Sequence, residues 1–337
     1  MARKQQNGEQ ADSSPAGMTL AVFGADGNLG KQILIACEGE GIAIDRLIPV
    51  TSKTAVASEI AYQARSWKTV PTADVDVASL DAAIIATPQD GGHALVESLR
   101  SKGIFTIDLT SVSHEVFPVQ WPASSMTEEI EDEGGVCIPG AISSTVAPVL
   151  KRFASLGKIA SIHIVVLLSA ALQGKKGPET LSEQTLNLLN FRIPEVASMG
   201  GLLAFNLLPG NVPHSGDAQA RSRNELLKLM PELPAEGIYV QCIRVPVFSG
   251  LGCSIQVQFD DDINKETLEE ERSTSTELLM GGPLSGLRDT VESDSVLLCS
   301  LDRPDTKSIS CICFADPTHR TSMAVSKVLH AFAQDNL

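Results

Sequence analysis

A glycine-rich turn is the first segment of the sequence with recognisable chemistry. Gly24, Ala25, Asp26, Gly27, Asn28, Leu29 and Gly30 follow a short apolar run and precede a segment of helical periodicity. Glycines at this spacing permit a tight turn and a close approach of backbone to ligand, and the amides that begin the helix attract a pyrophosphate. We therefore expect these seven residues to bind a dinucleotide. A tight turn without a ligand is the alternative.

The second predicted strand ends in residues that bear on the choice of dinucleotide. Thr51, Lys53 and Thr54 stand where an NAD-binding protein usually has an acid for the ribose 2′-hydroxyl. A lysine among hydroxyls suits the 2′-phosphate of NADP instead, so NADP is expected in preference to NAD. The carboxylate of Asp26 must point away from a bound pyrophosphate, because the two charges repel.

Cysteines and histidines are the other side chains with potential chemistry. The seven cysteines show no metal-type CxxC pairs and lie mostly in apolar runs. This pattern is typical of reduced, buried thiols in a cytoplasmic protein, with no metal site. His163, in an apolar strand, is expected in the core. His114 is the one candidate acid or base, with Ser111 or Ser113 as a hydrogen-bonded partner.

The elements that must position these residues fall into two groups. Strands and helices alternate up to about residue 150, which predicts a doubly wound parallel sheet. Long strands beside helices follow, which predicts an α+β arrangement. The later predicted elements are strands at Ile159–Leu168, at Ile238–Phe248 and at Cys253–Phe259 after a Ser249–Gly252 turn, an exposed charged helix at Asn264–Met280, a hairpin around Asp302–Asp305, and a final helix at Arg320–Gln334.

Composition limits the classes of function. A chain of 337 residues exceeds the size at which one core stops growing, so two domains are expected. The net charge of −15 disfavours a nucleic-acid partner. No apolar run reaches the roughly 20 residues that a membrane span requires.

Several segments, in order, resemble the aspartate-semialdehyde dehydrogenase family. GADGNLG at 24–30 is similar to its GATGxVG turn, and IDLTS at 107–111 to its VIDxSS segment. GKKG at 174–177 resembles its GKAG helix start, RVPV at 244–247 matches the same string in the family, and the helix after Asp316 resembles its closing helix. The resemblance is strongest to the Usg-like branch, which lacks the catalytic cysteine.

The resemblance implies a domain plan. It places a disordered tail at 1–17, a Rossmann-like NAD(P)-binding domain at 18–141 and a dimerisation domain at 142–315. A C-terminal helix at 316–337 is expected to return to the first domain. The implied assembly is a homodimer with NADP as cofactor.

The resemblance also implies that the catalytic residues of the family are replaced in this chain. The family's nucleophilic cysteine aligns with Ala141, its activating glutamine with Leu168 and its general-base histidine with Leu251. We expect the two leucines to line the same wall as Ala141. Of the catalytic set only Arg244 remains, as a candidate for a substrate carboxylate or as the partner of an acid in its own domain. His114 replaces an arginine.

Three hypotheses follow. The first is an inactive relative that still binds a nucleotide or a partner. The second is an oxidoreductase that passes hydride between NADP and a carbonyl without a thioester, using His114. The third is a structural dimer with a closed cleft.

Overall fold

A computed structural model gives the fold of residues 17–51, 58–87, 92–121, 127–174, 176–210, 217–263 and 277–336. Two sheets, each with its own helices, account for most of these residues. None of the helices in these ranges combines the length and apolar composition that a membrane span needs.

The first sheet contains six parallel strands. They are β1 (Met18–Phe23), β2 (Ile44–Thr51), β5 (Val70–Pro71), β6 (Ala82–Ile85), β7 (Phe105–Asp108) and β8 (Gly135–Cys137), in the spatial order β5-β2-β1-β6-β7-β8. A separate antiparallel pair, β3 (Glu59–Tyr62) and β4 (Arg65–Lys68), precedes β5. The associated helices are α1 (Asn28–Gly39), α2 (Gly92–Ser101) and α3 (Glu128–Glu133). The strand order reverses between β1 and β6, which in such sheets opens a crevice at the carboxyl ends of the strands.

The central strands are apolar on both faces, because helices cover both faces. Successive strand residues point in opposite directions. Leu20 and Ile84 therefore join one buried cluster, and Ala21 and Ile85 join another on the opposite side. The long final helix α7 (Pro317–Asn336) packs against α1, and its residues Ala324, Val325, Val328 and Leu329 complete the first of these clusters. The expected return of the chain to the first domain is confirmed.

The second sheet is mixed and has seven strands. They are β9 (Ile159–Leu168), β10 (Leu208–Pro209), β11 (Ile238–Arg244), β12 (Leu251–Phe259), β13 (Leu278–Met280), β14 (Val296–Asp305) and β15 (Ser308–Ala315), in the order β10-β11-β9-β12-β15-β14-β13. The helices α4 (Ala141–Ala154) and α6 (Ala218–Leu229) pack on one face, and α5 (Gly177–Leu189) follows β9. The predicted fold class, a Rossmann-like sheet plus an α+β unit, is confirmed.

Three details differ from the sequence-based expectations. β11 ends at Arg244 and not at Phe248, since Pro246 has no amide to donate to a neighbouring strand. β11 and β12 do not pair with each other, because β9 lies between them. Of the predicted helix at 264–280, residues 264–276 lie outside the described ranges, and Leu278–Met280 is a strand parallel to β14.

His163 was expected in the core, and that expectation is wrong. Its side chain is exposed on the sheet face that the helices do not cover, where it stacks on Tyr239 with ring centroids 4.7 Å apart. The apolar neighbours Ile162 and Ile164 point the other way, into the core. Strand alternation explains the exposure, because every second residue of a one-sided strand faces away from the core.

Candidate functional site

A cleft of about 500 Å³ lies where the two sheets and α7 approach one another. It opens at the carboxyl ends of β1 and β6, the point at which the strand order reverses. Its size falls in the range usual for small-molecule sites. The lining residues are Gly24, Asp26, Gly27, Asn28, Leu29, Gly30, Ala86, Thr87, Leu109, Ile138, Pro139, Gly140, Ala141, Ala171, Leu172, Gly174, Arg221, Pro317, Thr318 and Thr321.

The glycine-rich turn forms one wall of this cleft, and its backbone explains the glycines. Gly24 has a φ of +87°, and a Cβ there would stand 2.5 Å from the carbonyl oxygen of Ala86. A Cβ on Gly30 would stand 2.3 Å from the carbonyl oxygen of Gly24. Ala25, also predicted to bind the cofactor, is fully buried and does not line the cleft.

The start of α1 fits an anionic group. Its N-cap residue Gly27 makes no capping hydrogen bond through a side chain, and the first turn carries no acidic residue. The first amides of the helix therefore lie at the cleft with no acidic side chain in the same helical turn, an arrangement that suits a pyrophosphate. The residues present thus fit the diphosphate of a dinucleotide.

The residues predicted to select NADP lie away from the cleft wall or outside the described ranges. Thr51 ends β2 and is buried, and its carbonyl oxygen accepts a hydrogen bond of 3.3 Å from Thr72 Oγ1. Lys53 and Thr54 lie outside the described residues. The preference for NADP over NAD stays a prediction.

Ala141 lies on the cleft wall opposite the glycine-rich turn, as the first residue of α4. None of the described residues that line the cleft is a cysteine or a histidine. The nearest thiol in sequence, Cys137, is fully buried, and burial raises the pKa of this thiol well above its ordinary value. A neutral buried thiol is neither exposed to a ligand nor nucleophilic.

Leu168 and Leu251 occupy a different position from the one expected. They lie opposite each other on β9 and β12, and Arg244 of β11 flanks Leu168 on its other side. Leu251 is fully buried in the core beneath α4, and the half-buried Leu168 packs against that core. The expectation that they share the cleft wall with Ala141 is wrong, since neither of them lines it.

Arg244 is held by the protein itself. It is 4% exposed, and its Nε donates to the carbonyl oxygen of Pro209 at 2.9 Å. Its Nη1 donates to the carbonyl oxygen of Met199 at 2.5 Å and lies 3.4 Å from Oε1 of Gln173. The expectation of an acid partner does not match these contacts, because the partners of Arg244 among the described residues are carbonyl and amide oxygens. The role of Arg244 towards a substrate carboxylate stays a prediction.

His114 does not form the predicted pair with a serine hydroxyl. Its Nδ1 lies 2.8 Å from the carbonyl oxygen of Ser111, and its Nε2 lies 3.0 Å from Oε1 of Glu115. The hydroxyl of Ser111 donates to Glu225, and that of Ser113 donates to Asp108. Carboxylates accept more strongly than imidazoles, so both hydroxyls turn to them. His114 also does not line the cleft.

Two residues of α6 that the sequence reading did not single out meet at the start of α4. Glu225 is 3% exposed and accepts hydrogen bonds from the Ser111 hydroxyl and from the amide of Gly140, the latter at 3.0 Å. Arg221, one helical turn earlier, lines the cleft and lies against Gly140. Their i, i+4 spacing on a predicted helix was the available signal.

Comparison with protein families gives one domain match. The semialdehyde dehydrogenase dimerisation domain matches residues 148–290. Among curated proteins, the aspartate-semialdehyde dehydrogenase of Rickettsia bellii (strain RML369-C) is 23% identical over 74% of this chain and 76% of its own length. The USG-1 protein homolog of Pseudomonas aeruginosa is 24% identical over 73% of this chain and 75% of its own length.

Solved structures share the fold along nearly the whole chain. Aspartate semialdehyde dehydrogenase II from Vibrio cholerae, in complex with ASA, superposes with a TM-score of 0.82 at 21% identity, over 96% of this chain and all of the other. The aspartate semialdehyde dehydrogenase of Candida albicans, solved with NADP, has a TM-score of 0.70 at 13% identity, over 95% and 99% of the two chains.

Proposed function

We propose, from the premise that this chain belongs to the semialdehyde dehydrogenase family, that it is a dinucleotide-binding member without dehydrogenase activity. The observation that carries the proposal is Ala141 on the cleft wall, at the first residue of α4. The family reaction, as the sequence resemblance implies it, requires a thiolate that attacks a carbonyl carbon. A methyl group forms no covalent intermediate.

Among the described residues, the two serines that follow Ala141 in α4 do not substitute for the missing nucleophile. The hydroxyl of Ser143 donates to the carbonyl oxygen of Ser222 at 3.3 Å, and that of Ser144 donates to the carbonyl oxygen of Ala141 at 3.3 Å. Both serines are fully buried. A hydroxyl needs an adjacent base to become a nucleophile, and these two face backbone carbonyls instead.

Dinucleotide binding is supported by the glycine-rich turn and the start of α1. The backbone amides near Gly27 and Asn28 would hold the diphosphate, and a solved structure of the family carries NADP. NADP supplies a hydride acceptor when it is bound. In this chain the protein residues bind and orient it, with Ala141 facing the same cleft.

We also propose that the protein is a homodimer that uses the sheet face opposite the helices. The chain carries a dimerisation domain, and this face presents Tyr239 at 53%, Leu167 at 36% and Ile312 at 38% exposure. Exposed apolar groups gathered on one surface mark an interaction site.

Light scattering of the wild-type protein should give twice the mass of one chain. Ile312→Lys should shift the measured mass towards that of one chain. A wild-type monomer would contradict the assignment.

The alternatives have less support. Hydride transfer with His114 as acid or base lacks a geometric basis, because His114 does not line the cleft. A structural dimer with a closed cleft fits poorly, because the cleft has a volume of about 500 Å³.

Calorimetric titration with NADP and NAD tests the proposed binding of a dinucleotide. Asn28 is exposed at the first position of α1. Asn28→Glu places a carboxylate in the diphosphate position without cost to the helix, since acids stabilise a helix start. Asn28→Gln is the matched neutral control. Wild type and Asn28→Gln should bind NADP, and Asn28→Glu should bind at least about tenfold more weakly. Equal affinity in all three, or no binding to wild type at millimolar NADP, would contradict the proposal.

A further inference from the structure

We infer that pH controls the association of two chains through the uncovered face of the second sheet, and that His163 is the residue responsible. The inference rests on the homodimer proposed above, and it adds the condition under which the two chains separate. Protonation of His163 favours the single chain. The dimer therefore forms at neutral and alkaline pH and dissociates in mild acid.

The uncovered face of the second sheet is poor in charge. Its strands β9, β11, β12 and β15 contain no aspartate, glutamate or lysine, although the whole chain has a net charge of −15. The arginine in these strands, Arg244, is buried and donates to the carbonyl oxygens of Pro209 and Met199. Charged side chains are depleted at the centre of protein interfaces, so this composition suits a face that a second chain covers.

His163 lies in the interior of this face, among uncharged neighbours. It stacks on Tyr239 of β11 with ring centroids 4.7 Å apart, and it lies opposite Gln256 of β12. The other outward side chains around it on these three strands are those of Ser161, Val165, Gln241, Ser254 and Gln258. Tyr239 is the one titratable side chain among these strand neighbours, and a phenol keeps its proton until well above neutral pH. These neighbours therefore offer a protonated imidazole no carboxylate.

The symmetry of a homodimer extends this property to the partner. A two-fold interface brings the same surface of each chain together, so the four strands of the partner also offer no carboxylate. An imidazolium buried between two such faces has no anion to pair with, and burial of an unpaired charge is costly. The stacked phenol ring of Tyr239 stabilises a cation, but more weakly than this cost. A neutral His163 is thus compatible with the interface, and a protonated one opposes it.

The direction of the pH dependence follows from the two protonation states. Histidine gains a proton between about pH 7 and about pH 5. Burial disfavours the charged form, so the dimer takes up protons less readily than the separate chains do. Each dimer buries two copies of His163, so the Kd for dissociation should rise by up to about 100-fold per pH unit as the pH falls through this range.

The remaining charges of the chain predict the opposite trend. A net charge of −15 makes two chains repel each other, and protonation of carboxylates and of other histidines reduces that repulsion. In the absence of His163, acid should therefore strengthen the association or leave it unchanged. A dimer that weakens in acid points to a group inside the interface and not to the overall charge.

Analytical ultracentrifugation of the full chain tests the inference, with dilution series at about pH 8 and about pH 5.5 and at constant ionic strength. Wild type should be dimeric at the higher pH, and its Kd should be at least about tenfold higher at the lower pH. His163→Gln keeps a polar side chain without the charge, so its Kd should not rise in acid. His93→Gln is the matched control, because His93 is exposed on α2 of the first sheet, and this variant should behave as wild type.

A second variant places a permanent charge at the same position. His163→Lys is charged at both pH values, so its dimer should already be weak at about pH 8. Far-ultraviolet circular dichroism checks that each variant remains folded at both pH values. His163 is exposed in the single chain, so the fold should tolerate both substitutions.

The role of His163 is refuted if wild type shows the same Kd, or no dissociation, at both pH values. It is also refuted if acid raises the Kd of His163→Gln as much as that of wild type, or if His163→Lys and wild type dimerise equally at about pH 8. These three results leave the homodimer itself intact. A wild type that is monomeric at about pH 8 refutes the homodimer proposal, and with it the pH control.

Discussion

Leu251 lies directly opposite Leu168 in the antiparallel pairing of β12 with β9, and neither leucine lines the cleft that contains Ala141. The resemblance aligns these two positions with a general-base histidine and an activating glutamine. In this chain they contribute to the core beneath α4. Under the proposed function, the two positions that the resemblance aligns with polar catalytic groups hold packing side chains instead.

Leu251→His should destabilise the protein strongly. Leu251 is fully buried, so an imidazole there replaces apolar contacts and must find a hydrogen-bond partner in an apolar core. We expect a loss of about 3 kcal/mol in the free energy of unfolding, measured by urea denaturation. Leu284→His is the matched control, because Leu284 is fully exposed and should tolerate the change within about 0.5 kcal/mol. Equal stability of the two variants would place Leu251 outside the core.

Ala141→Cys should create a thiol that reacts with an alkylating reagent in the folded protein. Ala141 lines the cleft, whereas all seven natural cysteines are buried. Intact-mass measurement should find one modification in the variant and none in wild type over the same time. Bound NADP should slow the reaction. An unreactive variant, or wild type that is labelled as fast, would contradict the position of Ala141.

Arg244→Met should lower stability without a specific loss of ligand. The change leaves the carbonyl oxygens of Pro209 and Met199 without their charged donor inside the protein. Such unsatisfied groups cost about 2 to 4 kcal/mol together. Urea denaturation should show this loss. Unchanged stability would contradict the two hydrogen bonds from Arg244 to these carbonyl oxygens.

The buried thiols should make the protein less stable at alkaline pH. Burial raises the pKa of Cys37 to about 12 and of Cys242 to about 11, from an ordinary value of 9.0. Above about pH 9 a thiol therefore ionises in the unfolded chain first, which favours unfolding. The contribution of the neutral, buried thiol to the free energy of unfolding is complete below about pH 9. It falls as the pH rises towards the pKa of the thiol in the folded protein. Each thiol should cost about 1 kcal/mol between about pH 9 and pH 10.

Urea denaturation across this pH interval tests the effect of burial. Cys37→Ala should reduce the alkaline loss by the share of one thiol, although it also lowers the stability at neutral pH. An unchanged pH dependence in this variant would contradict burial of Cys37 as the cause.

The fold was largely predictable from the sequence because its signals are local. The strand at Ile159–Leu168 has the bounds that its pattern predicted. Periodicity does not specify which strands pair. The insertion of β9 between β11 and β12 depends on contacts distant in sequence, and the turn after β11 suggested a hairpin instead.

The site was predictable only in part. The glycine-rich turn and Ala141 lie on the cleft because both begin a helix at the edge of the first sheet. The contacts of Glu225 with Ser111 and Gly140 could not be predicted, since they join residues 114 and 85 positions apart. The direction of Arg244 was also not predictable, because its partners are backbone carbonyls that the sequence does not identify.

The proposed absence of dehydrogenase activity is tested most directly by the rate of NADPH formation. The purified protein is assayed with NADP, aspartate semialdehyde and phosphate. The Vibrio cholerae enzyme serves as a positive control. With Ala141 on the cleft wall and the two leucines packed in or against the core, we expect no rate above that of a heat-inactivated sample. NADPH formed in proportion to protein concentration, and persisting through further purification, would contradict the account.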